Sequence, residues 1–218
     1  MTEENKPGNA PGTITKAAVI VTALAVVFFI GWSQFRHADT DAHRIVETRT
    51  PVKISIGGPF TLTHHNGTRV SDTDYRGRFM LIFFGYTYCP DVCPTELSTI
   101  AEAMDLLGPE KSKQIQPLFI SVDPPRDTPE VMANYVVQFH PSIVGLTGTE
   151  DEIAQLAKSF RTYYARAEGS EGDEDYAVDH SATTYLMGPD GQFETTFSYG
   201  TPPEAMAAAL EKFIDSRS

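Results

Sequence analysis

One stretch decides the fold, Phe79-Met80-Leu81-Ile82-Phe83-Phe84-Gly85-Tyr86-Thr87-Tyr88-Cys89-Pro90-Asp91-Val92-Cys93-Pro94. Its first six residues are apolar without alternation, a pattern typical of a strand that is buried on both faces of a parallel or mixed sheet. Proline suits the first position of a helix but costs about 3 kcal/mol in its interior, so we expect the next helix to begin at Pro94. The stretch therefore predicts a buried strand, a loop and a helix, with both cysteines of the chain in the loop.

The position of the two thiols indicates their chemistry. At the N-terminal end of a helix, partial positive charge stabilises thiolates and lowers the thiol pKa, which prepares the sulfur to attack a disulfide or to bind a soft metal ion. A strand, a two-cysteine loop and a helix form the thioredoxin arrangement, although Cys89 and Cys93 have the spacing C-x3-C where the redox motif has C-x2-C. Two core cysteines or a plain structural disulfide would not need a loop bounded by glycine and proline at a strand end.

The remaining pattern of residues 51–218 predicts an α/β sheet. Two more apolar runs predict strands of the same sheet, and they are Leu118–Val122 and Ile143–Leu146. Helix-like stretches follow the three strands at about 94–107, 128–139 and Glu150–Tyr163. Two hairpins flank this core, Pro59–Thr63 with Thr68–Ser71 and Ala182–Met187 with Gln192–Ser198, before a last helix at about 203–215. We expect an α/β, thioredoxin-like fold with an N-terminal hairpin and right-handed crossovers.

An apolar segment near the N-terminus predicts a single transmembrane helix before this domain. The 19 residues between Lys16 and Arg36 carry no charge, and this length just spans a hydrocarbon core. A cleaved signal peptide is the alternative, but the segment ends in Trp32-Ser33-Gln34-Phe35 instead of small residues of the A-x-A type. The expected organisation is a short tail at 1–16, a transmembrane anchor at 17–35, a linker at 36–50 and the folded domain at 51–218.

Charge limits the partners and the location. The chain carries 17 Lys+Arg against 29 Asp+Glu, a net charge of −12, so a phosphate backbone would meet mostly repulsion and nucleic acid is excluded as a partner. The first 15 residues contain Glu3 and Glu4 but no Arg, which argues against a mitochondrial transit peptide. Basic residues lie on both sides of the apolar segment, so charge bias does not set its orientation. We expect a protein of the bacterial inner (cytoplasmic) membrane.

Two thiolates leave a metal site incomplete, so the six histidines are weighed as a third ligand. His180 is best placed, because it precedes the predicted strand Ala182–Met187, and in a thioredoxin-like sheet the loop that enters this strand faces the cysteine loop. A lone histidine is often only structural, and that alternative stays open. Two sulfurs with one imidazole would suit copper and would be poor for magnesium or calcium, while zinc would normally need a fourth protein ligand. Other positions are expected for the remaining histidines, namely the linker for His37 and His43, an exposed turn for His64 and His65, and a helix C-terminus for His140.

Four separated motifs carry a resemblance, and they are Phe84–Pro94, Val122–Pro129, Tyr176–Ser181 and Tyr185–Gly191. In these motifs, and in their order, the chain resembles the Sco/SenC family from about residue 55 to the C-terminus. The resemblance implies a membrane-tethered, thioredoxin-like copper metallochaperone with Cys89, Cys93 and His180 as ligands of Cu(I), with Cu(II) as a further state. It also implies help in assembling the dinuclear copper site of cytochrome c oxidase, with the copper-binding subunit of the oxidase as partner and the globular domain facing the periplasm.

A second function, thiol-disulfide oxidoreduction, stays open for the same cysteines. Cys89 and Cys93 would then form a redox-active disulfide that acts on the oxidase subunit or on other extracytoplasmic proteins. His180 separates the two functions, because thiol exchange needs no distal histidine. A peroxidase fits less well, since Thr87 stands two residues before Cys89 where peroxiredoxins typically place a threonine three before. Another periplasmic copper chaperone and a thiol reductant are the further partners considered.

Two charged segments can each be interpreted as structural or as functional. Asp127 or Thr128 is expected to cap the helix that follows, whereas Asp123 and Arg126 are also candidates for supporting the metal ligands or docking a partner. Residues 168–175 contain five acids in eight positions, which is typical of a solvated loop. Their place before His180 leaves open a role in guiding a cationic donor or in positioning the histidine.

Overall fold

The computed structural model describes residues 24–30, 32–33, 56–167 and 176–217, and the chain divides into one compact unit at 1–54 and a larger one at 55–218. In the first unit, residues 24–30, 32 and 33 are helical (α1). No helix within the described ranges is long and apolar enough to cross a membrane. The predicted tail, the linker and most of the predicted anchor lie outside the described residues.

The larger unit contains the strands β1 Thr61–His64, β2 Arg69–Ser71, β3 Phe79–Gly85, β4 Ile115–Ser121, β5 Val144–Thr147, β6 Tyr164–Arg166, β7 Val178–His180, β8 Thr183–Met187 and β9 Phe193–Ser198. Its helices are α2 Val92–Ser112, α3 Pro129–Val136, α4 Glu150–Phe160 and α5 Pro203–Asp215, with a 3-10 turn at Asp72–Tyr75. Seven strands form one sheet in the order β2-β1-β5-β4-β3-β8-β9, and β6 and β7 form a separate two-stranded ribbon.

The predicted buried strand is confirmed as β3, which lies between parallel β4 and antiparallel β8. Every residue of β3 and β4 is buried, and this explains why their sequences are nearly continuous apolar runs. Because β3, β4 and β5 are parallel, their carboxyl ends lie at one edge of the sheet. The cysteine loop after Gly85 and the loop after Ser121 therefore leave the sheet side by side, and this edge is where α/β sheets place their ligand sites.

Both predicted hairpins are confirmed, with strand bounds shifted by one or two residues. The first pairs β1 with β2 through the turn that contains Gly67, whose φ of 87° is typical of glycine. β1 also pairs with β5, so this hairpin extends the sheet at one edge. The second pairs β8 with β9 at the opposite edge.

Four predicted helix boundaries are wrong by two to five residues. α2 ends at Ser112 where about 107 was expected, and its helical geometry is interrupted at Gly108, which has φ of 71°. α2 begins at Val92 and not at Pro94, because the first four N–H groups of a helix lack internal acceptors and a proline is tolerated among them. Cys93 consequently lies in the first turn of α2 and not in the loop. α3 ends at Val136 in tight 3-10-type turns, and α4 ends at Phe160 because Arg161 takes a left-handed conformation with φ of 57°.

The ribbon of β6 and β7 was not predicted. Its strands have three residues each, too few to produce a recognisable alternation of apolar and polar side chains. Tyr164 pairs with His180 across the ribbon, so His180 lies on a strand and not in a loop. The acidic residues 168–175 connect the two strands and lie outside the described residues.

Glu96 is a buried acidic residue on α2, with only 1% of its surface exposed. Its carboxyl group accepts a hydrogen bond of 2.7 Å from Thr184 Oγ1. Burial raises its pKa. A raised pKa means that the folded state disfavours the ionised form, so stability is greatest below the unfolded pKa and falls as the pH rises. We expect Glu96→Gln to stabilise the protein at about pH 8 by on the order of 1 kcal/mol and to have no such effect near pH 4.

Thermal melts at both pH values would check this expectation. Glu102→Gln, an exposed position on the same helix, is the matched control and should change the melting temperature at neither pH. A lower melting temperature of Glu96→Gln at pH 8 would contradict the prediction.

Candidate metal centre

The three candidate ligands come together at the carboxyl edge of β3. Cys89 lies in the loop after this strand, Cys93 in the first turn of α2, and His180 at the end of β7. The two sulfur atoms and one imidazole nitrogen all lie within 4.8 Å of one another, and Cys93 Sγ is 3.3 Å from His180 Nε2. Within the described part of the chain, this is the one group of three or more histidine, cysteine or acidic side chains that could hold a metal ion.

Gly85 makes room for the deepest of the three groups. Cys93 is fully buried, and a Cβ atom placed on Gly85 would lie 2.6 Å from its sulfur and 2.8 Å from a ring carbon of Phe119. Any larger residue at the end of β3 would therefore displace the thiol. Cys89 and His180 are only half-buried, so access to the centre is on their side.

The two thiols shift each other's pKa in opposite directions. The hydrogen bond from the Cys93 thiol lowers the pKa of Cys89, and backbone N–H groups of Asp91 and Cys93 add to this effect against the opposing effect of burial. The same hydrogen bond to Cys89 raises the pKa of Cys93, and burial raises it further. Cys89 is therefore the thiolate and Cys93 the thiol in the metal-free reduced protein.

His180 faces the sulfur atoms with Nε2 of its imidazole ring. Its Nδ1 lies 3.2 Å from the carbonyl oxygen of Ser181, and because a carbonyl can only accept, we assign the proton to Nδ1. In this tautomer Nε2 is the nitrogen available to a metal ion, and it lies 3.3 Å from Cys93 Sγ. The rings of Phe83 and Tyr86 contact the imidazole at centroid distances of 6.0 and 5.8 Å and restrict its rotation.

The other described histidines accept backbone hydrogen bonds outside the metal centre, and the positions expected for them need correction. His64 and His65 were expected to be exposed bystanders, but each Nδ1 accepts a backbone N–H, from Asn66 at 3.0 Å and from Gly145 at 2.9 Å. His140 was expected at the end of a helix, but α3 ends earlier and its Nδ1 accepts the Ser142 N–H at 3.1 Å. His37 and His43 lie outside the described residues.

The loop between β4 and α3 contains residues whose positions were only partly predicted. Thr128 caps α3 as expected, with its hydroxyl accepting the Val131 N–H. Asp127 is not a cap, because it is fully buried and accepts hydrogen bonds from Thr87 and Ser121. Asp123 is buried as well and accepts hydrogen bonds from Tyr176 and Arg126. No pattern in the sequence distinguishes these buried acids from surface ones.

The fold and this centre define a thioredoxin-like domain with two sulfur donors and one imidazole donor at the carboxyl edge of its sheet. A family profile described as SCO1/SenC matches residues 48–215. The chain belongs to this family. The resemblance stated from the four sequence motifs is thereby confirmed.

Three relatives illustrate the similarity. The human mitochondrial "Protein SCO1 homolog" is 40% identical over 211 residues, which cover 94% of this chain and 70% of the relative. The structure of Bradyrhizobium japonicum ScoI with copper bound is 45% identical, with a TM-score of 0.67 over 73% of this chain and 99% of that one. A structure of BsSco, described as having a disulfide switch and as a member of the Sco family of cytochrome c oxidase assembly proteins, is 26% identical with a TM-score of 0.58 over 74% and 94%.

The unequal cysteines predict unequal reactivity. At about pH 6, where an ordinary thiol is almost entirely protonated, iodoacetamide should modify Cys89 and leave Cys93 unmodified in the folded, reduced chain. The reasons are the lowered pKa and partial exposure of Cys89 and the raised pKa and burial of Cys93. Peptide mass spectrometry would follow both residues, and the denatured chain, in which both should react equally, is the control. Faster modification of Cys93 would show that the assignment of thiol and thiolate is reversed.

Proposed function

We propose that this protein is a membrane-anchored copper metallochaperone that carries Cu(I) on Cys89, Cys93 and His180 and assists assembly of the dinuclear copper site of cytochrome c oxidase. The observation that carries the proposal is the convergence of two sulfur atoms and one imidazole nitrogen within 4.8 Å. Copper is the cargo of the protein, so the ligands must both bind it and release it.

The donor set fits Cu(I) by its chemistry. Thiolate sulfur is a soft ligand and imidazole suits copper, whereas magnesium and calcium require oxygen donors that this group lacks. The three ligand atoms already lie within 4.8 Å of one another, so binding of the metal needs little rearrangement of the chain. Binding to both sulfurs displaces the Cys93 proton, and the half-exposed side at Cys89 and His180 leaves a route for a partner to exchange ligands.

Relatives support the choice of cargo and of partner. The Bradyrhizobium japonicum ScoI structure is described with copper bound, and BsSco is described as belonging to a family of oxidase assembly proteins. We propose the copper-binding subunit of the oxidase as the acceptor, and another periplasmic copper chaperone or a thiol reductant as a further partner. The uncharged residues 17–35 support a single-pass anchor in a bacterial inner membrane, with the globular domain facing the periplasm.

Thiol-disulfide oxidoreduction is a second candidate, and a specific observation favours it. A half-exposed thiolate at Cys89 with a buried thiol at Cys93 behind it is the arrangement of an attacking and a resolving cysteine. In that case Cys89 and Cys93 would form the redox-active disulfide. Whether His180 is a ligand of the copper ion decides between the two candidate functions, because disulfide exchange does not require a histidine.

X-ray absorption of the Cu(I)-loaded, reduced protein tests the proposed ligands. We expect one copper ion per chain with two sulfur atoms and one nitrogen atom in the first shell, and loss of the nitrogen in His180→Ala. His140→Ala is the matched control, since that histidine supports a turn, and it should leave the shell unchanged. A shell dominated by oxygen, or one unaltered in His180→Ala, would eliminate the proposed site.

Copper binding and cysteine oxidation should exclude each other. A Cys89–Cys93 disulfide consumes both sulfur ligands, so only the reduced protein should be stabilised by Cu(I), by about 4 kcal/mol at a thousandfold excess over Kd. Thermal melts of each redox form with and without Cu(I) would measure this difference. Equal stabilisation of the oxidised form would mean that copper binds elsewhere on the chain.

A further inference from the structure

The loop at 122–128, between β4 and α3, is hydrogen-bonded to both chain segments that carry the proposed metal ligands, but it contributes no ligand itself. It leaves the sheet beside the cysteine loop, because β3 and β4 are parallel neighbours. Two of its side chains, Asp123 and Asp127, are almost fully buried at 3% and 0% exposure. Burying a carboxylate is costly unless hydrogen bonds compensate for lost water, so the partners of these two acids indicate what the loop does.

Asp127 binds the cysteine loop. Its carboxylate accepts the Thr87 N–H at 3.2 Å, the Thr87 hydroxyl at 2.5 Å and the Ser121 hydroxyl at 2.6 Å. Thr87 lies two residues before Cys89, and Cys89 N–H in turn bonds the carbonyl of Tyr86 at 3.3 Å. Three donors converge on one side chain, and only a carboxylate offers enough lone pairs without presenting a donor of its own.

Asp123 binds the segment that carries the histidine. Its two oxygen atoms accept hydrogen bonds from the hydroxyl of Tyr176 and from Nε of Arg126. The guanidinium of Arg126 also lies over the ring of Tyr176, with its central carbon 3.6 Å from the ring centroid. Tyr176 is two residues before β7, the strand that ends in His180.

The two acids are joined to each other through Ser121. The Ser121 hydroxyl donates to Asp127 and accepts the Asp123 N–H at 3.0 Å. A further bond joins the two ligand-bearing segments directly, because Val178 N–H donates to the Tyr86 hydroxyl at 3.3 Å. The cysteine loop and the segment that leads to His180 are far apart in sequence. Both are thus hydrogen-bonded to the same loop, residues 122–128.

We propose that Asp127 and Asp123 are positioning residues of the metal centre, with Asp127 fixing the sulfur of Cys89 and Asp123 fixing the imidazole of His180. This inference rests on the proposed function, because it concerns the same ligands. Groups that orient metal ligands typically change metal affinity by about 10–100-fold when removed. Cys93 needs no such support, because burial in the first turn of α2 already fixes its sulfur.

The test compares Cu(I) affinity, first-shell composition and melting temperature in the reduced full-length chain. Asp127→Ala and Asp123→Ala are the test variants. Asp72→Ala is the matched control, since Asp72 is also buried and accepts a backbone N–H and an arginine, but in the 3-10 turn after β2. Competition with a chromophoric Cu(I) chelator gives the affinity, and X-ray absorption gives the shell.

We expect all three variants to melt at lower temperature, and only the two test variants to lose affinity, by about 10–100-fold. The shells should differ as well. Asp127→Ala should lose sulfur scattering, because Cys89 is released, while Asp123→Ala should lose nitrogen scattering, because His180 is released. A role in fold stability alone would alter neither shell.

Thr87 supplies variants that keep the test decisive if an aspartate variant fails to fold. Thr87→Val removes one donor to Asp127 and should weaken Cu(I) binding, whereas Thr87→Ser retains the hydroxyl and should restore it. Combining Thr87→Val with Asp127→Ala should cost no more affinity than Asp127→Ala alone, since the two residues act through one interaction.

Two results would overturn the inference in distinguishable ways. If the wild-type chain binds no Cu(I), the proposed function fails and the inference fails with it. If the wild-type chain binds Cu(I) but the aspartate and Thr87→Val variants match Asp72→Ala in affinity and shell, the function stands and these acids serve only stability.

Discussion

The metal centre depends on the close approach of helix α2 to the end of strand β3, which the absence of a side chain at Gly85 permits. The sulfur of Cys93 occupies space that a Cβ atom would take, since the two would be 2.6 Å apart. Because interiors are close-packed, there is no alternative volume into which the thiol could move. The hydrogen bond between the two thiols, together with burial, raises the pKa of Cys93, and the same hydrogen bond lowers the pKa of Cys89. The absence of a side chain at Gly85 thus sets the depth at which the Cys93 sulfur lies.

The same arrangement of two sulfur atoms is suited to copper binding and to thiol exchange, and the imidazole distinguishes the two proposed functions. A thiolate backed by a thiol can attack a disulfide or receive a soft metal ion with loss of one proton. His180 adds an imidazole nitrogen, Nε2, while its other ring nitrogen lies beside the Ser181 carbonyl. When Cys89 and Cys93 are oxidised to a disulfide, neither sulfur is a thiolate. Only the nitrogen of the three proposed copper ligands then remains, so the redox state of the cysteines controls whether the copper site exists.

Much of the fold could be predicted because buried strands such as β3 have an unmistakable composition, and glycine and proline limit the turns around them. Cys89 and Cys93 could be predicted from their place after that strand, and His180 from its place before β8 together with the family motifs. The ribbon of β6 and β7 could not, since three-residue strands carry no period. Asp127 and Glu96 could not either, because a charged side chain looks like a surface residue in a sequence, and its burial depends on partners about 40 and 88 positions away.

His180 lies on a ribbon that is separate from the main sheet, whereas both cysteines follow a strand of that sheet. A two-stranded ribbon is marginally stable by itself, and this one is held by Tyr176 and Val178, which pack in the hydrophobic core. Cys93 is buried in the first turn of α2, and Cys89 lies in the short loop that joins β3 to this helix. The place of the imidazole relative to the two sulfur atoms therefore depends on contacts with Phe83 and Tyr86 and not on strand pairing within the main sheet. Loss of those contacts would remove the nitrogen donor and leave both sulfur donors in place.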